Sequence, residues 1–456
     1  MRKLFGTDGI RGVAGDFPLD AETVFAIGRA LGHHLAANGT PLRVVMGQDT
    51  RESSAWIADA VSAGLESAKV VVESAGVITT PAIAYLARAG KFSAGAVVSA
   101  SHNPWTDNGI KVFGGSGYKL PDQTELEIER EIFAQLEAPH DAAEGGRAIR
   151  PSLPGDPALR RAYVEWLAGS VKLRPLRGLK LVVDCAHGAA SALAPEVFRG
   201  CGISARFLFN TPDGQNINDH CGALHPEIVA QAVVESGADL GITFDGDADR
   251  ALFSDARGNV VNGDGILFLS ALDLKARGAL AGDLVVATTM SNMGLESALR
   301  RSGIGMLRAQ VGDKYVLEEM QKSGAALGGE QSGHIIFADV FSGGATTGDG
   351  LLTALRVLEV VARSGQSLAE VAAGLEVFPQ IIKNVRVREK KPLGEVPEVA
   401  SAIADAERRL NSRGRVVVRY SGTEPLARVM VEAASADEMH STADAICTAI
   451  QKALGI

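Results

Sequence analysis

The 456-residue sequence predicts an α/β protein of three similar units followed by one smaller α+β unit. Three observations carry that expectation. Short β-branched runs alternate with longer amphipathic stretches, the order that builds parallel α/β layers, and this rhythm starts three times. After about residue 370 the texture changes to two strands joined by a polar loop, then one helix. The length itself suggests about three or four domains at roughly 100–200 residues each.

In the first unit LRVVMG (42–47) precedes the helical pattern SSAWIADAVSAGLES (53–67). KVVVE (69–73), TPAIAYLARAG (80–90) and AGAVVS (94–99) follow. The second unit runs through LKLVVDCAHGAA (179–190), FLFN (207–210), a helix from Pro226 and ADLGITF (238–244). The third has GDLVVATTMSN (282–292), a helix and GMLRAQVG (305–312). These units are candidate structural repeats, although their sequences are not visibly similar. In the last unit RVVVRYSGTEPLARVMVEAA (415–434) reads as two strands and ADEMHSTADAICTAIQKAL as a helix. Punctuation at RPSLPGDP (150–157) and DARGNVVNGDG (255–265) sets expected domains at 1–155, 156–255, 256–369 and 370–456.

Composition excludes several classes. The chain is 46% hydrophobic and 22% charged, values of a globular protein with a sizeable core. A net charge of −9 without a basic stripe argues against nucleic-acid binding. It leaves an anionic substrate open, because local clusters decide that. The four cysteines (185, 201, 221, 447) form no C-x-x-C, so reduced thiols and a cytoplasmic location are expected, not a zinc site or disulfides. MRKLFGTDGIRG has no apolar signal region, and no run approaches the roughly 20 residues of a membrane span.

Several polar loops carry chemistry. In FDGDADRA (244–251), Asp245, Asp247 and Asp249 alternate, which in an extended segment puts three carboxylates on one face. Like charges held so close call for a cation, and oxygen ligands suit Mg²⁺ or Ca²⁺. An EF-hand is excluded, since Arg250 and Ala256 stand where Gly and Glu are needed. Arg250 beside the ligands suggests that the cation shares its site with phosphate. A solvated acidic turn is the plainer alternative. In GGEQSGHI (328–335), Glu330, Ser332 and His334 alternate too; Glu and Ser suit sugar hydroxyls, while a turn with a satisfied His explains the loop equally well. In RYSGTEPLAR (419–428), Arg419, Ser421, Gly422, Thr423 and Arg428 make a phosphate cradle or a polar hairpin connection. FGTDGIRG (5–12) places Arg11 among glycines, and GQDTR (47–51) ends a strand, where α/β crevices open.

VVSASHNPWTDNGIKVF (97–113) holds Ser101. A hydrolase nucleophile would sit in a G-x-S-x-G elbow, which is absent, and adjacent His102 points away if the backbone is extended. A serine that carries phosphate fits better, because the Asp triplet and Arg-rich loops supply a cation and basic partners. The alternative is an Asn-Pro turn that Ser101 merely caps.

In this order and spacing SASHNPWTDNGIKVF, FDGDADR, GEQSGH and RYSGTEP resemble the four signature loops of the α-D-phosphohexomutases. MRKLFGTDGIRG and DGQNINDHCGALHPE (213–227) resemble the branch acting on glucosamine phosphates, rather than the phosphomannomutase/phosphoglucomutase branch. GQDTR departs from the usual Gly-Arg-Asp-Thr-Arg, and SASHNP from the frequent Thr-Ala-Ser-His-Asn-Pro. The resemblance implies four domains around a central cleft, three of them with mixed sheets. It implies conversion of glucosamine 6-phosphate to glucosamine 1-phosphate through phosphorylated Ser101 and a 1,6-bisphosphate, feeding UDP-N-acetylglucosamine and cell-wall precursors. Asp245, Asp247, Asp249 and the Ser101 phosphate would hold one Mg²⁺. Arg11, Lys111 and Arg250 would surround the transferring group. Lys111, expected to have a lowered pKa, would be the general base, with His102 and His334 as competitors. Glu330 and Ser332 would grip the sugar, and the Arg419–Arg428 loop the idle phosphate. A glucosamine 1,6-bisphosphate or similar compound would be the activator. The sugar phosphate would be the small-molecule partner, with a homodimer or an activating kinase as macromolecular ones. The alternatives are the same chemistry on mannose or glucose, a non-catalytic sugar-phosphate-binding protein, and an Asp-x-Asp phosphatase phosphorylated on Asp245 or Asp247.

Overall fold

The computed structural model describes residues 4–6, 8–39, 42–137, 154–172, 178–339, 343–421 and 425–456. The first sheet contains β1 (Phe5–Gly6), β2 (Gly9–Val13), β3 (Arg43–Gln48), β4 (Val71–Val77), β5 (Ala94–Val98) and β6 (Asp107–Gly114), in the order β1-β2-β6-β5-β3-β4. The second contains β7 (Leu181–Asp184), β8 (Ala205–Leu208), β9 (Leu240–Phe244), β10 (Ala251–Asp255) and β11 (Val260–Val261), in the order β11-β10-β9-β7-β8. The third contains β12 (Leu284–Thr288), β13 (Gly305–Ala309), β14 (Leu327–Gly329) and β15 (Ile335–Phe337), in the order β13-β12-β14-β15. The fourth is antiparallel, β16 (Gln380–Arg386), β18 (Leu426–Ala433) and β17 (Gly414–Tyr420).

The first three sheets share one device. Parallel strands end in an antiparallel hairpin: β5 to β6, β9 to β10, and β14 to β15. Each hairpin loop is one of the polar loops of the sequence: Ser101 lies in the first, the Asp triplet in the second, and Glu330–His334 in the third. The candidate repeats are therefore repeats of position. The return strands β6, β10 and β15 make the sheets mixed, as the family resemblance implies; the alternation of runs alone gave only the parallel part.

Cores follow from apolar faces. Helices Ala21–Ala37 and Ser54–Ser67 bury Val24, Ile27, Leu31, Ile57, Val61 and Leu65 beside the first sheet. They cross closely: a Cβ on Gly64 would stand 2.2 Å from the carbonyl oxygen of Phe25. In the last domain, helix Ala436–Leu454 buries Met439, Ala443, Ile446 and Ile450, an i, i+4, i+7, i+11 stripe.

The described chain forms two compact units. One comprises Met1–Thr288 with Leu307–Ala372, the other Thr289–Met306 with Ala373–Ile456. Within the second unit, Arg415 ties the fourth sheet to Thr289–Met306. It donates to the carbonyl oxygens of Thr289 (2.7 Å) and Ser291 (2.9 Å) and pairs with buried Glu432 (3.0 Å). No helix among the described residues is long and apolar enough to cross a membrane.

Candidate active site

Ser101 follows β5 and is 1% exposed. Its backbone is left-handed, with φ +54°, a conformation rare for a non-glycine residue and concentrated at functional sites. The Oγ hydroxyl donates to Asp245 Oδ2 at 2.6 Å and lies 3.3 Å from Nδ1 of His102. The expectation that His102 points away is thus corrected: the positive φ breaks the alternation that an extended backbone imposes. Burial and the neighbouring Arg250 and Arg11 push the His102 pKa down to about 4.

The Asp triplet is also brought together differently than expected. Residues 245–250 form a turn, not an extended run, with Ala248 at φ +54°. One oxygen from each of Asp245, Asp247 and Asp249 lies within 4.8 Å of the others, all three residues buried. Burial, with repulsion from Asp249 and Asp247, holds the Asp245 carboxyl well above its usual pKa. Oδ1 of Asp247 and Oδ1 of Asp249 are buried without a hydrogen-bond partner. Buried anionic oxygens left unpaired are costly, so the cluster fits a hard metal ion.

Lys111, on β6, is 2% exposed, and its Nζ meets Asp247 (2.8 Å), Asp8 (3.0 Å) and Asp249 (3.6 Å). The expected lowering of its pKa is corrected. Burial opposes the charge, but Asp247, Asp8 and Asp249 outweigh it and raise the pKa, so Lys111 is held as a cation. Arg11 on β2 ion-pairs with Asp8 and reaches the Ala100 carbonyl at 3.4 Å. Arg250 stands 3.9 Å from Asp245 and 3.8 Å from Asp249.

Asp8 was not singled out in the sequence. It gathers Arg11, Lys111 and Lys119, whose Nζ is 2.6 Å from Asp8 and 2.5 Å from Asp313. Burial raises the Asp8 carboxyl pKa, yet Lys111, Lys119 and Arg11 hold it well below the ordinary range. Thr80, also missed, donates to Asp247 Oδ2 at 2.5 Å. A lone Asp or Thr in a loop gives no periodic signal; only contact across strands reveals these roles.

Glu330, Ser332 and His334 occupy the β14–β15 turn. Glu330 accepts from the Gly312 N–H at 3.1 Å, and Ser332 is half-buried. His334 is buried, with Nδ1 3.6 Å from Asp249 and Nε2 accepting from the Gly348 N–H at 3.0 Å. Burial opposes its charge and the Gly348 contact favours the neutral ring, while Asp249 and Asp313 pull the other way and raise its pKa. The first compact unit therefore brings together Arg11, Ser101, His102, Lys111, the three aspartates, Arg250 and His334.

In the second unit Arg419 and Arg428 are directly paired across β17 and β18. Burial and the charge of Arg428 lower the Arg419 pKa. Like charges opposite one another in a sheet repel, and an anion relieves that. Buried Ser421 closes the hairpin by donating its N–H to Leu426 O at 2.8 Å. Gly422 and Thr423 lie outside the described residues.

Comparisons with known proteins agree with this geometry. Residues 2–139, 161–258, 262–378 and 382–449 match domains I, II, III and the C-terminal domain of phosphoglucomutase/phosphomannomutase. The chain is 62% identical to a phosphoglucosamine mutase of Koribacter versatilis, over 100% of this chain and 98% of that one. It is 48% identical to that of Anaeromyxobacter dehalogenans, over 100% of both. A crystal structure of a phosphoglucomutase/phosphomannomutase family protein from Burkholderia thailandensis matches all of both chains with TM-score 0.80 and 27% identity. The fold is also that of Aspergillus fumigatus N-acetylphosphoglucosamine mutase, solved with GlcNAc-6P and magnesium (TM-score 0.63, 19% identity, 99% of this chain and 96% of that). Four family domains in order, and identity running end to end, mean that the chain belongs to the phosphoglucosamine mutases, a branch of the α-D-phosphohexomutase family.

Proposed function

We propose that the chain interconverts glucosamine 6-phosphate and glucosamine 1-phosphate by passing a phosphoryl group through Ser101. The observation that carries this reading is the buried Ser101 hydroxyl, set on a left-handed backbone, 2.6 Å from Asp245 of the aspartate cluster.

Phosphorylated Ser101 gives its phosphoryl group to the sugar: the P–Oγ bond breaks as a bond to the C1 oxygen forms, and the C1 hydroxyl proton ends on the departing Ser101 Oγ, with His102 beside it to relay it. The resulting 1,6-bisphosphate turns over in the site. The P–O bond at C6 then breaks as Ser101 Oγ takes the phosphoryl group, and the C6 oxygen takes a proton. Phosphoryl transfer asks the protein mainly for positioning and charge stabilisation. Cationic Lys111, Arg11 and Arg250 supply positive charge around the transferring group. His102 exchanges the proton of Ser101 Oγ, which lies 3.3 Å from its Nδ1. Lys111 and His334 face the sugar hydroxyls, and Glu330 and Ser332 orient them. Arg419, Ser421 and Arg428, with Gly422 and Thr423, hold the phosphate that is not reacting.

Asp245, Asp247, Asp249 and a phosphate oxygen on Ser101 would hold one Mg²⁺, which when bound offsets charge on the phosphoryl oxygens. A hexose 1,6-bisphosphate such as glucosamine 1,6-bisphosphate, or a kinase, gives Ser101 its first phosphate. The four-way division at residues 155, 255 and 369 gives each domain one loop of this machinery. The free thiols of all four cysteines suit a cytoplasmic enzyme.

Two measurements test the reading. Intact-mass spectrometry after incubation with a hexose 1,6-bisphosphate shows one phosphate on Ser101; full mutase activity in Ser101→Ala overturns the mechanism. Comparison of kcat/KM on glucosamine, mannose and glucose phosphates decides the substrate, and a preference for either neutral sugar overturns that part.

A further inference from the structure

The left-handed backbone of Ser101 needs something to hold it. Two side chains from separate parts of the chain converge on its carbonyl oxygen. Nη2 of Arg51 donates to Ser101 O at 2.9 Å, and Nδ2 of Asn218 donates to the same oxygen at 2.9 Å. Both also reach the carbonyl of Asn103, at 2.9 and 3.2 Å.

Arg51 is placed like a peg in this loop. A guanidinium has five N–H donors, and each one is used. Nε donates to Asp49 at 2.8 Å, Nη1 to the carbonyl oxygens of Pro104 and Asp107, and Nη2 to those of Ser101 and Asn103. Asn218 comes from DGQNINDHCGALHPE, a stretch for which the catalytic scheme has no task. It stands at φ +58°, which Asn tolerates better than most residues, and its own N–H donates to Ala186 O at 2.9 Å. Gly246, inside the metal loop, packs against the same point. A Cβ there would lie 2.5 Å from Ser101 O and 2.9 Å from Asn218 Nδ2. The serine loop, the metal loop and the 213–227 loop thus meet at one carbonyl oxygen.

We infer that Arg51 and Asn218 are positioning residues that clamp the Ser101 carbonyl and thereby aim Oγ at the aspartate cluster. Neither touches the reacting atoms. Their contribution is to keep Ser101 in a backbone conformation it does not adopt by preference. The inference rests on Ser101 being the phosphate carrier.

The test uses Asn218→Asp and Asn218→Gly in the full chain. Both residues accept a positive φ, so the local turn is kept while the donor is lost. The readouts are the rate of phosphate uptake on Ser101 from glucose 1,6-bisphosphate by intact mass, kcat and KM with glucosamine phosphates at saturating Mg²⁺, and Tm. Uptake and kcat are expected to fall together by roughly 10- to 100-fold, with KM within about threefold, the size of effect that a small misplacement of reacting groups produces. Tm is expected to stay close to wild type. Arg51→Lys, which keeps the charge but loses the fork, is expected to fall further in the same two quantities. Wild-type uptake and kcat in both Asn218 variants would overturn the inference, as would a loss matched by a fall in the folded fraction. Failure of wild-type Ser101 to take up phosphate would instead overturn the carrier reading itself.

Discussion

The β5–β6 and β9–β10 loops and the β17–β18 hairpin are all proposed to meet phosphate, but they are built on different electrostatic plans. Around Ser101 every cation has a carboxylate. Lys111 meets three, Lys119 two and Arg250 two. Three aspartates crowd together there, and two of their buried oxygens lack a hydrogen-bond partner. In the β17–β18 hairpin, two like-charged side chains, Arg419 and Arg428, oppose each other across the strands. A site proposed to break bonds holds its groups fixed through paired charges. A hairpin proposed to hold a phosphate instead sets like charges side by side, which an anion relieves.

The largest expected effect breaks the first plan outright. Ser101→Ala removes the acceptor of the phosphoryl group, and kcat is expected to fall by at least about 10⁴-fold, read in a coupled assay. Ser101→Ala should still bind sugar phosphate, because the arginine hairpin is untouched.

The aspartate cluster comes next. A Mg²⁺ ion bound to the native cluster would stabilise it, by about 2.7 kcal/mol at a hundred times Kd. Tm of the wild type is expected to rise with Mg²⁺ and to fall on chelation. Asp245→Asn should lose most of that response and about 10³-fold in kcat, on the scale of a lost electrostatic group at the reacting centre. Without metal its Tm should match or exceed wild type, since one of three repelling carboxylates is gone. A wild-type Tm blind to Mg²⁺ would show that the cluster serves something else.

Arg428→Ala probes the other plan. A charge-assisted phosphate contact is lost while the catalytic centre is intact, so KM is expected to rise by about 10-fold or more with kcat within about threefold. A drop confined to kcat would place this hairpin in the chemistry and erase the contrast.

The smallest effect is on stability against pH. Asp349 is buried, caps helix Gly350–Ser364 at Leu352 N, and accepts from Tyr163 at 2.7 Å. Burial raises its pKa from 3.8 to about 6. Between those values the native state keeps a proton that the unfolded state has released. The contribution of this group therefore weakens the fold as pH rises from about 4 to about 6, and is constant above. The size is about 3 kcal/mol at most. Asp349→Asn is expected to flatten the Tm slope in that window; an unchanged slope would show that other groups set it.

Much of this was legible in the chain. Loops with closely spaced polar groups declare their residue types, because a phosphate, a cation or a sugar hydroxyl dictates the chemistry that meets it. Ser101, the three aspartates, Glu330, His334, Arg419 and Arg428 could be singled out as candidates for that reason. Helix Ser54–Ser67 and strand Ala94–Val98 were readable too, since period and β-branching are local properties. What pairs with what was not local. The return strands β6, β10 and β15 leave no mark in the alternation of runs, because their direction is set by hydrogen bonds to distant partners. The charge of Lys111 was misjudged for the same reason. Its own neighbours in sequence are apolar, and only the fold sets Asp8, Asp247 and Asp249 around it. His102 faces Ser101 because a single positive φ turns it there. The sequence by itself determined which chemical groups this protein owns and the loops that carry them. Only the tertiary structure decided which charges neutralise one another and how Ser101 is aimed, since both depend on contacts between residues up to 194 positions apart.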